Sequence, residues 1–192
     1  YVTYASMFGA AFIFSGYEHM RKVLGGRIGR KVFEDVVAAV GVRPLEVFYL
    51  SARQLNLREI GREVRAPQDL TGVKLRTPGS PCWLARGRAL GCDPIPMNFN
   101  DVYLGLKTGT IDGQDNPLPT VKNAKFYEVT EYIILTNHVI ETVWPCINEQ
   151  TWQSFSRKDQ ALILKAMEKA RKVCDETNLK KEYKKLFQAS LG

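Results

Sequence analysis

Three side chains between residues 69 and 116 have the chemistry to hold a small carboxylate. Arg76 ends the short segment 73–76, whose apolar residues predict a strand. Its guanidinium offers a planar fork of N–H donors that matches two carboxylate oxygens, whereas lysine would offer only a point charge. Phe99 and Asn116 follow on later strand-to-loop junctions and could supply an apolar wall and an amide. No general base stands beside them in the sequence, so the pattern favours binding over catalysis.

Each of these residues also has a simpler interpretation. Spacing alone favours a surface arginine at Arg76 and a core aromatic at Phe99. Asn116 is either an ordinary turn residue or a ligand-facing amide. Because Pro117 follows it, the backbone of Asn116 is held extended, which fixes the direction of its side chain.

Three further residues are weaker candidates. Arg53 follows a predicted strand, as Arg76 does, and a surface position accounts for it in the same way. Trp144 precedes a proline inside an apolar run, which indicates a strand edge or a crossing point. His138 falls in a predicted turn, and a lone histidine there favours a structural role.

The sequence carries no common catalytic motif: it has no nucleophile elbow, phosphate loop or dinucleotide fingerprint. Its four cysteines form no Cys-x-x-Cys pair and only two histidines are present, so we expect no metal site and no cofactor. Cys82 and Cys92 flank a predicted helix whose ends lie about 15 Å apart, too far for a disulfide. We therefore expect four buried free thiols, at Cys82, Cys92, Cys146 and Cys174.

Composition indicates a folded chain and gives little support to nucleic-acid binding. Of 192 residues, 45% are hydrophobic, enough for a core in one large domain or two small lobes. The formal net charge of +7 is not concentrated in one block. Its densest part, residues 165–185, is mixed with acidic residues and lacks the repeated aromatic interleaving that stacks bases, which favours a solvated helix face.

Turn signals and hydrophobic periodicity predict alternating helices and strands. Helices are expected at about 15–25 (with a capping box at Ser15–Glu18), 28–40, 81–90, 100–108 and 117–124. A long helix capped by Ser156 and Asp159 is expected to break near Thr177 and resume to Phe187. Strands are expected at 44–50, 73–76, 94–97, 132–136 and 139–147, with a very short one at Ile111 leading into a turn at 112–113.

Two helices are predicted to bury apolar stripes. The stripe of the second comprises Val32, Phe33, Val36, Val37 and Val40, and that of the long one comprises Leu162, Ile163, Ala166, Met167, Ala170, Val173 and Cys174. The alternation of helices and strands predicts an α/β fold with a mostly parallel sheet covered on both faces.

Several motifs in a fixed order make the chain similar to the solute-binding proteins of TRAP transporters, the DctP type. They are Asp-Leu-Thr-Gly-Val-Lys-Leu-Arg-Thr-Pro at 69–78, Leu-Gly-Cys-Asp-Pro-Ile-Pro-Met-Asn-Phe-Asn-Asp-Val-Tyr at 90–103, Gly-Thr-Ile-Asp-Gly-Gln-Asp-Asn-Pro-Leu at 109–118 and Lys-Phe-Tyr-Glu-Val at 125–129. Tyr-Glu-His-Met at 17–20 and Asn-Glu-Gln-Thr-Trp at 148–152 also fit. Cys92 departs from the pattern, since a small residue such as alanine is usual there.

The resemblance implies a periplasmic binding protein-like α/β fold of two lobes, with strands crossing between them and a long C-terminal helix. Residues 1–52 and 142–192 would form the remainder of the N-terminal lobe, and 53–141 the C-terminal lobe. The first part of the N-terminal lobe, and a signal peptide for export to the periplasm, would be missing from this sequence.

The implied function is that of a receptor, not an enzyme, which closes on a small organic acid and delivers it to the TRAP permease subunits. The clamp on the ligand carboxylate falls on Arg76, a ligand-contacting amide on Asn116 and a pocket aromatic on Phe99. A second pocket arginine falls on Arg53 through a looser alignment. Trp144 and His138 are carried only as possible pocket neighbours.

Two alternatives from other classes stay open at this point. The first is an α/β enzyme that uses a cysteine or histidine, for which Cys82 at a helix start is the candidate nucleophile. The second is a nucleic-acid module driven by the basic balance, whose affinity would fall steeply with salt.

Overall fold

The computed structural model describes residues 3–184, with side chains from 4 to 180. In chain order the helices are α1 (Tyr17–Leu24), α2 (Arg27–Val40), α3 (Pro81–Ala89), α4 (Val102–Thr108), α5 (Leu118–Asn123), α6 (Glu149–Ser154) and α7 (Arg157–Lys184). The strands are β1 (Val42–Pro44), β2 (Phe48–Leu57), β3 (Lys74–Thr77), β4 (Asp93–Pro96), β5 (Gly113–Pro117), β6 (Tyr132–Val143) and β7 (Cys146–Asn148). Short 3-10 helices lie at Thr3–Gly9, Pro67–Leu70, Phe99–Asp101 and Phe126–Glu128.

The chain folds into two compact units. The first takes in the described residues up to Ser51 and from Ile140 onward, and the second is Ala52–Val139. β2 and β6 each begin in one unit and end in the other. Within the described part of the chain, we find no helix with the length and apolar character that a bilayer crossing requires.

The first unit contains a short two-stranded sheet and the long helix α7. β1 pairs antiparallel with β7, and Arg43 on β1 makes two 2.7 Å hydrogen bonds with the carboxylate of Glu149. On α7, the carboxylate of Asp175 accepts from the hydroxyl of Tyr17 and from the backbone N–H of Tyr49, both at 2.9 Å. Asn178 donates to the carbonyl of Tyr49 at 2.7 Å, so this helix holds both backbone groups of one residue at the start of β2.

The second unit is a five-stranded sheet in the order β4-β3-β5-β2-β6. β3 runs parallel to β4 and to β5, while β2 and β5 are antiparallel. One apolar cluster comprises Leu55, Leu57, Leu70, Val73, Leu75, Leu90 and Cys92. A second comprises Val102, Leu106, Ile111, Val121 and Phe126.

The α/β class and the long C-terminal helix are confirmed, but the sheet is mixed, not mostly parallel. The cap of the long helix is also confirmed: the Asp159 N–H donates to the Ser156 hydroxyl at 3.1 Å, and that hydroxyl donates back to the Asp159 carboxylate at 2.7 Å. The predicted break near Thr177 is wrong, because α7 runs unbroken to Lys184. Its predicted extension to Phe187 lies outside the described residues.

The predicted apolar stripes are only partly right. On α7, Ile163, Met167 and Cys174 are half-buried, but the other half of the stripe is exposed: Leu162, Ala166, Ala170 and Val173. On α2, Val32 is buried and Val40 is 54% exposed. The capping box predicted at Ser15 is wrong, since Gly16 caps α1 with no side-chain bond and the Ser15 hydroxyl lies 3.3 Å from the His19 ring.

Four predicted strands have different bounds. The segment 44–50 is interrupted because the backbone groups of Val47 hydrogen-bond to side chains instead of to a neighbouring strand. Its N–H donates to Glu46 and its carbonyl accepts from Arg21. The strand predicted at Ile111 begins instead at Gly113, where a Cβ would lie 2.3 Å from the Leu57 side chain. The strands predicted at 132–136 and 139–147 differ from the structure, in which β6 runs unbroken from Tyr132 to Val143 and β7 follows.

Candidate anion-binding site

Five of the six predicted site residues lie in the second unit. Arg53, Arg76, Asn116 and His138 stand on β2, β3, β5 and β6, and Phe99 opens the 3-10 helix after β4. All except Phe99 are buried. Neighbouring strands of one sheet therefore bring the polar candidates together, while the simpler interpretation of Arg53 and Arg76 as surface arginines is wrong.

Arg76 is a buried guanidinium with donors to spare. Only 5% of the residue is exposed, and its Nε donates to the carbonyl of Met97 at 2.9 Å. Among the described side chains and backbone groups, its two terminal nitrogens meet no hydrogen-bond or ion-pair partner. Burial and then the nearby positive charge of Arg53 lower its pKa, against the opposing effect of Asp115. Because arginine stays charged in proteins, an anion beside this buried side chain would stabilise it.

Phe99 lies beside this guanidinium and is not a core residue. The Arg76 Cζ is 5.8 Å from its ring centre, and the ring itself is 43% exposed. Its edge packs on Phe126, with ring centres 5.7 Å apart. Phe99 thus presents an exposed aromatic surface next to unused N–H donors, which suits a ligand with an anionic end and a carbon skeleton.

A second polar cluster surrounds the buried carboxylate of Asp115. One of its oxygens, Oδ2, accepts from Arg53 Nε at 2.9 Å and from Arg86 at 2.9 Å, and lies 3.1 Å from His138 Nε2. Burial alone would raise the pKa of Asp115, but the charge of Arg53, the His138 hydrogen bond and the charge of Arg86 together lower it. The carboxylate is therefore ionised and holds three side chains from three different elements.

Trp83 completes this cluster. The guanidinium carbons of Arg53 and Arg86 lie 4.6 and 3.7 Å from its ring centre. Such contacts add cation–π attraction to the ion pairs. Arg53 is therefore fixed by a carboxylate and by an aromatic ring at once, which leaves its guanidinium little freedom.

The opposite face of the sheet carries a row of amides. In the strand register Asn56 lies opposite Gln114 and Arg76 also pairs with Gln114, so these side chains share a face. Asn116 donates to Gln114 Oε1 at 2.5 Å, and Gln114 donates to Asn56 Oδ1 at 2.5 Å. Arg53 reaches this row from its end, donating to Asn116 Oδ1 at 3.2 Å.

Trp144 lies in the first unit. Its ring packs on Phe33, with centres 5.3 Å apart, and its indole N–H donates to Thr142 at 3.2 Å. Its assignment to the pocket stays a prediction, as do the ligand roles of the other five residues.

The predicted turn at Asn137–His138 is wrong, because both residues lie within β6. Asn137 has a positive φ of 46°, which asparagine tolerates. Gln54 binds this residue twice: its Oε1 accepts the Asn137 N–H at 2.9 Å, and its amide donates to Asn137 Oδ1 at 2.7 Å. His138 is fully buried, with its other ring nitrogen 2.7 Å from the Thr136 hydroxyl.

Sequence reasoning missed Asp115, Arg86 and Trp83. A signal was available in Gly-Gln-Asp-Asn-Pro at 113–117, where four polar or small residues occupy a strand between apolar elements. Polar residues in a buried strand need partners. Arg86 and Trp83 sit on α3 and meet Asp115 and Arg53 only through the tertiary fold, so no local pattern marks them.

The expectation of four buried thiols is wrong. All four cysteines are free, but only Cys92 is buried; Cys82 and Cys174 are half-buried and Cys146 is exposed. Burial raises the pKa of Cys92 to about 12, so its thiolate is not populated at neutral pH. Across the residues described, no group of three or more His, Cys, Asp or Glu side chains is placed to hold a metal.

Comparison with known proteins extends this picture of an α/β protein with a candidate anion site. Two solute-binding proteins of Roseobacter denitrificans have solved structures similar to this chain. One, with bound 3-deoxy-D-manno-oct-2-ulosonic acid, is 38% identical with a TM-score of 0.88, covering 92% of this chain and 59% of its own. The other, with bound L-galactonate, is 32% identical with a TM-score of 0.86, covering 94% and 59%.

The fold shared with these two structures is that of the periplasmic solute-binding proteins. The model for "bacterial extracellular solute-binding protein, family 7" matches residues 1–190, and the chain belongs to this family, DctP. The sialic acid-binding periplasmic protein SiaP of Vibrio cholerae is 34% identical over 158 residues, 82% of this chain and 48% of SiaP. The chain thus spans about half the length of the curated relatives it matches. The family consists of substrate-binding receptors, not enzymes, which confirms that expectation.

Proposed function

We propose that this chain is part of a periplasmic receptor that binds a small organic acid, of the sugar-acid class, and delivers it to TRAP permease subunits. The observation that carries the proposal is the buried Arg76 guanidinium, whose terminal donors meet no partner among the described residues. A largely buried cation with free donors is costly unless an anion completes it. A carboxylate is the anion whose geometry fits the fork.

The groups around Arg76 favour an acid that also carries hydroxyls. Asn116 and Gln114 are hydrogen-bonding amides on the same face, and no carboxylate stands among the described residues of this face of β2, β3 and β5. The structurally similar proteins named above hold acids of this kind, and a third, from Polaromonas, has bound D-erythronate at 28% identity and a TM-score of 0.86. These are polyhydroxylated acids, each with one carboxylate.

We also propose that the two compact units are the two lobes of the family. The predicted lobe boundaries, 52/53 and 141/142, fall near the unit boundaries at 51/52 and 139/140. Ligand capture by closure of the lobes stays a hypothesis that follows from the family. In it, only the closed state bonds the acid from both sides, so the ligand shifts the population towards closure.

Calorimetry of the complete protein with a panel of sugar acids tests the proposal. We expect Arg76→Ala to weaken binding of the acid that the wild type takes by at least about a hundredfold. The reason is that each hydrogen bond to a charged group is worth about 1.5–3 kcal/mol and about 1.4 kcal/mol is tenfold in affinity.

The matched control is Arg88→Ala, which removes the same charge from an exposed position of the same unit. Its affinity should equal that of the wild type. Equal binding by wild type and Arg76→Ala would remove Arg76 from the site. A wild-type protein that binds none of the acids would contradict the proposed ligand class.

A further inference from the structure

The row of buried side chains Arg53, Asn116, Gln114 and Asn56 has a direction. Arginine can only donate hydrogen bonds, so the atom of Asn116 that faces it at 3.2 Å must be the carbonyl oxygen. The NH2 group of Asn116 then faces Gln114, which must answer with its own carbonyl oxygen, at 2.5 Å. The NH2 group of Gln114 in turn meets Asn56 Oδ1 at 2.5 Å.

The far end of the row is open. The Nδ2 of Asn56 is buried and has no hydrogen-bond partner among the described atoms. Reversing all three amides would satisfy this group only by setting the NH2 of Asn116 against the guanidinium of Arg53. We therefore attribute the direction of the row to Arg53. The unpaired N–H, which is unfavourable, lies at Asn56, the end of the row furthest from Arg53.

We propose that Gln114 is a positioning residue for ligand recognition, because it and Arg53 together fix the Asn116 amide so that it offers an acid one N–H donor. The inference rests on the proposed function and deepens it. With its carbonyl turned to Arg53 and one amide hydrogen bonded to Gln114, Asn116 keeps a second amide hydrogen for a ligand. Arg76 contributes only donors on the same face, so the ligand must be rich in acceptors.

Without Gln114, the 3.2 Å hydrogen bond to Arg53 is the one contact among the described residues that favours a single orientation of the Asn116 amide. The amide would then populate orientations that turn its free hydrogen away from the ligand. Binding should weaken although Gln114 itself, fully buried, never touches the acid.

The test is a double-mutant cycle in the complete protein, using L-galactonate and 3-deoxy-D-manno-oct-2-ulosonic acid as probes. Gln114→Met keeps the length of the side chain and removes its amide. We expect affinity to fall about three- to tenfold, the equivalent of one neutral hydrogen bond. In the Asn116→Ala background the same change should alter affinity by less than about twofold, since Gln114 then has nothing to position.

Asn56→Leu is the matched control. It is equally buried and also leaves one amide of the row unpaired, but it leaves Gln114 facing Asn116. Affinity should stay within about twofold of the wild type while stability falls as for Gln114→Met. An equal loss of affinity in Gln114→Met and Asn56→Leu, or in the presence and absence of Asn116, would overturn the positioning role.

A ligand-free measurement separates this inference from the proposed function. The side-chain NH2 signals of Asn116 are assigned in a nitrogen-15 spectrum by their loss in Asn116→Ala. They should move, and exchange faster with water, in Gln114→Met but not in Asn56→Leu. Unmoved signals would refute the role of Gln114 even if neither acid binds, whereas moved signals with no binding of either acid would count against the proposed ligand class alone.

Discussion

At the scale of single residues, the buried charges of the second unit fall into two groups, one on each face of the sheet. Asp115 satisfies Arg53, Arg86 and His138 on one face of the sheet. Arg76, on the other face, has no carboxylate of its own among the described residues. Removing one partner of a buried ion pair is strongly destabilising, so the Asp115 cluster is a structural support, whereas Arg76 is the guanidinium that we propose for the ligand.

Asp115 should make the protein sensitive to acid. Its pKa is lower in the folded state, so its contribution to stability is complete above its unfolded pKa of about 3.9 and is lost as pH falls below that value. We expect Asp115→Asn to be less stable than the wild type at pH 7 by about 3–5 kcal/mol. Urea unfolding of the complete protein should show this gap shrinking below pH 4.

Tyr49→Phe serves as a control for buried polar substitutions outside the cluster, since Asp175 binds the backbone of Tyr49. Its stability difference from the wild type should not shrink in the same pH range. A gap for Asp115→Asn that is constant from pH 7 to pH 2 would mean that folding does not lower the pKa of Asp115.

The site was predictable from sequence to the extent that its residues stand at strand ends. Arg76 and Asn116 each end a segment that the pattern marks as a strand or turn. That these strands are neighbours in one sheet is known only from the fold. Arg86 was not predictable, because its partner Asp115 is distant in sequence and the contact exists only when α3 packs on the sheet. The sequence predicts a turn at His138 because the preceding residue, Asn137, is of a type common in turns. In the structure Gln54 binds the backbone N–H of Asn137, and both residues lie within β6.

At the scale of elements, helix ends were predicted better than strand bounds. α2 and α4 end at Gly41 and Gly109, both with positive φ, because the left-handed conformation that closes a helix is open to glycine. Such signals are local. Strand bounds depend on partners: Val47 leaves the ladder because Glu46 and Arg21 take its backbone groups, and no periodicity reports that.

Gly41 should be hard to replace. Its φ is 64° and its N–H donates to the Val37 carbonyl at 2.9 Å, closing α2. Apart from its own neighbours along the chain, no described residue comes within 4 Å of a Cβ built there, so conformation alone sets the effect. We expect Gly41→Ala to lower the free energy of unfolding by about 1–2 kcal/mol and Gly41→Asn by less, measured by urea unfolding of the complete protein.

Gly9→Ala is the matched control, because a Cβ there also meets open space but no positive φ is involved. Its effect should stay within about 0.5 kcal/mol. If Gly41→Ala is as well tolerated as Gly9→Ala, then α2 does not end in the left-handed conformation.

At the scale of the whole molecule, the two units share their strands. β2 runs from Phe48 to Leu57 and β6 from Tyr132 to Val143, and each passes through a unit boundary without leaving the strand. In the first unit, α7 holds Tyr49 by both backbone groups, and two residues later Ser51 has a positive φ of 98°. A serine in that conformation is strained and persists only when its surroundings impose it. The two units should therefore lose structure together, since neither can release β2 alone.

Hydrogen exchange in moderate urea, followed by mass spectrometry of the complete protein, measures this coupling. Peptides from β2 and α7 should show the same free energy of opening, because one event exposes both. An acid present at about a hundred times its dissociation constant should raise both values by about 2.7 kcal/mol, although the proposed ligand residues on β3 and β5 lie in only one unit. Arg76→Ala at the same acid concentration should show no such gain. Added protection confined to peptides of Ala52–Val139 would show instead that the units unfold separately despite their common strands.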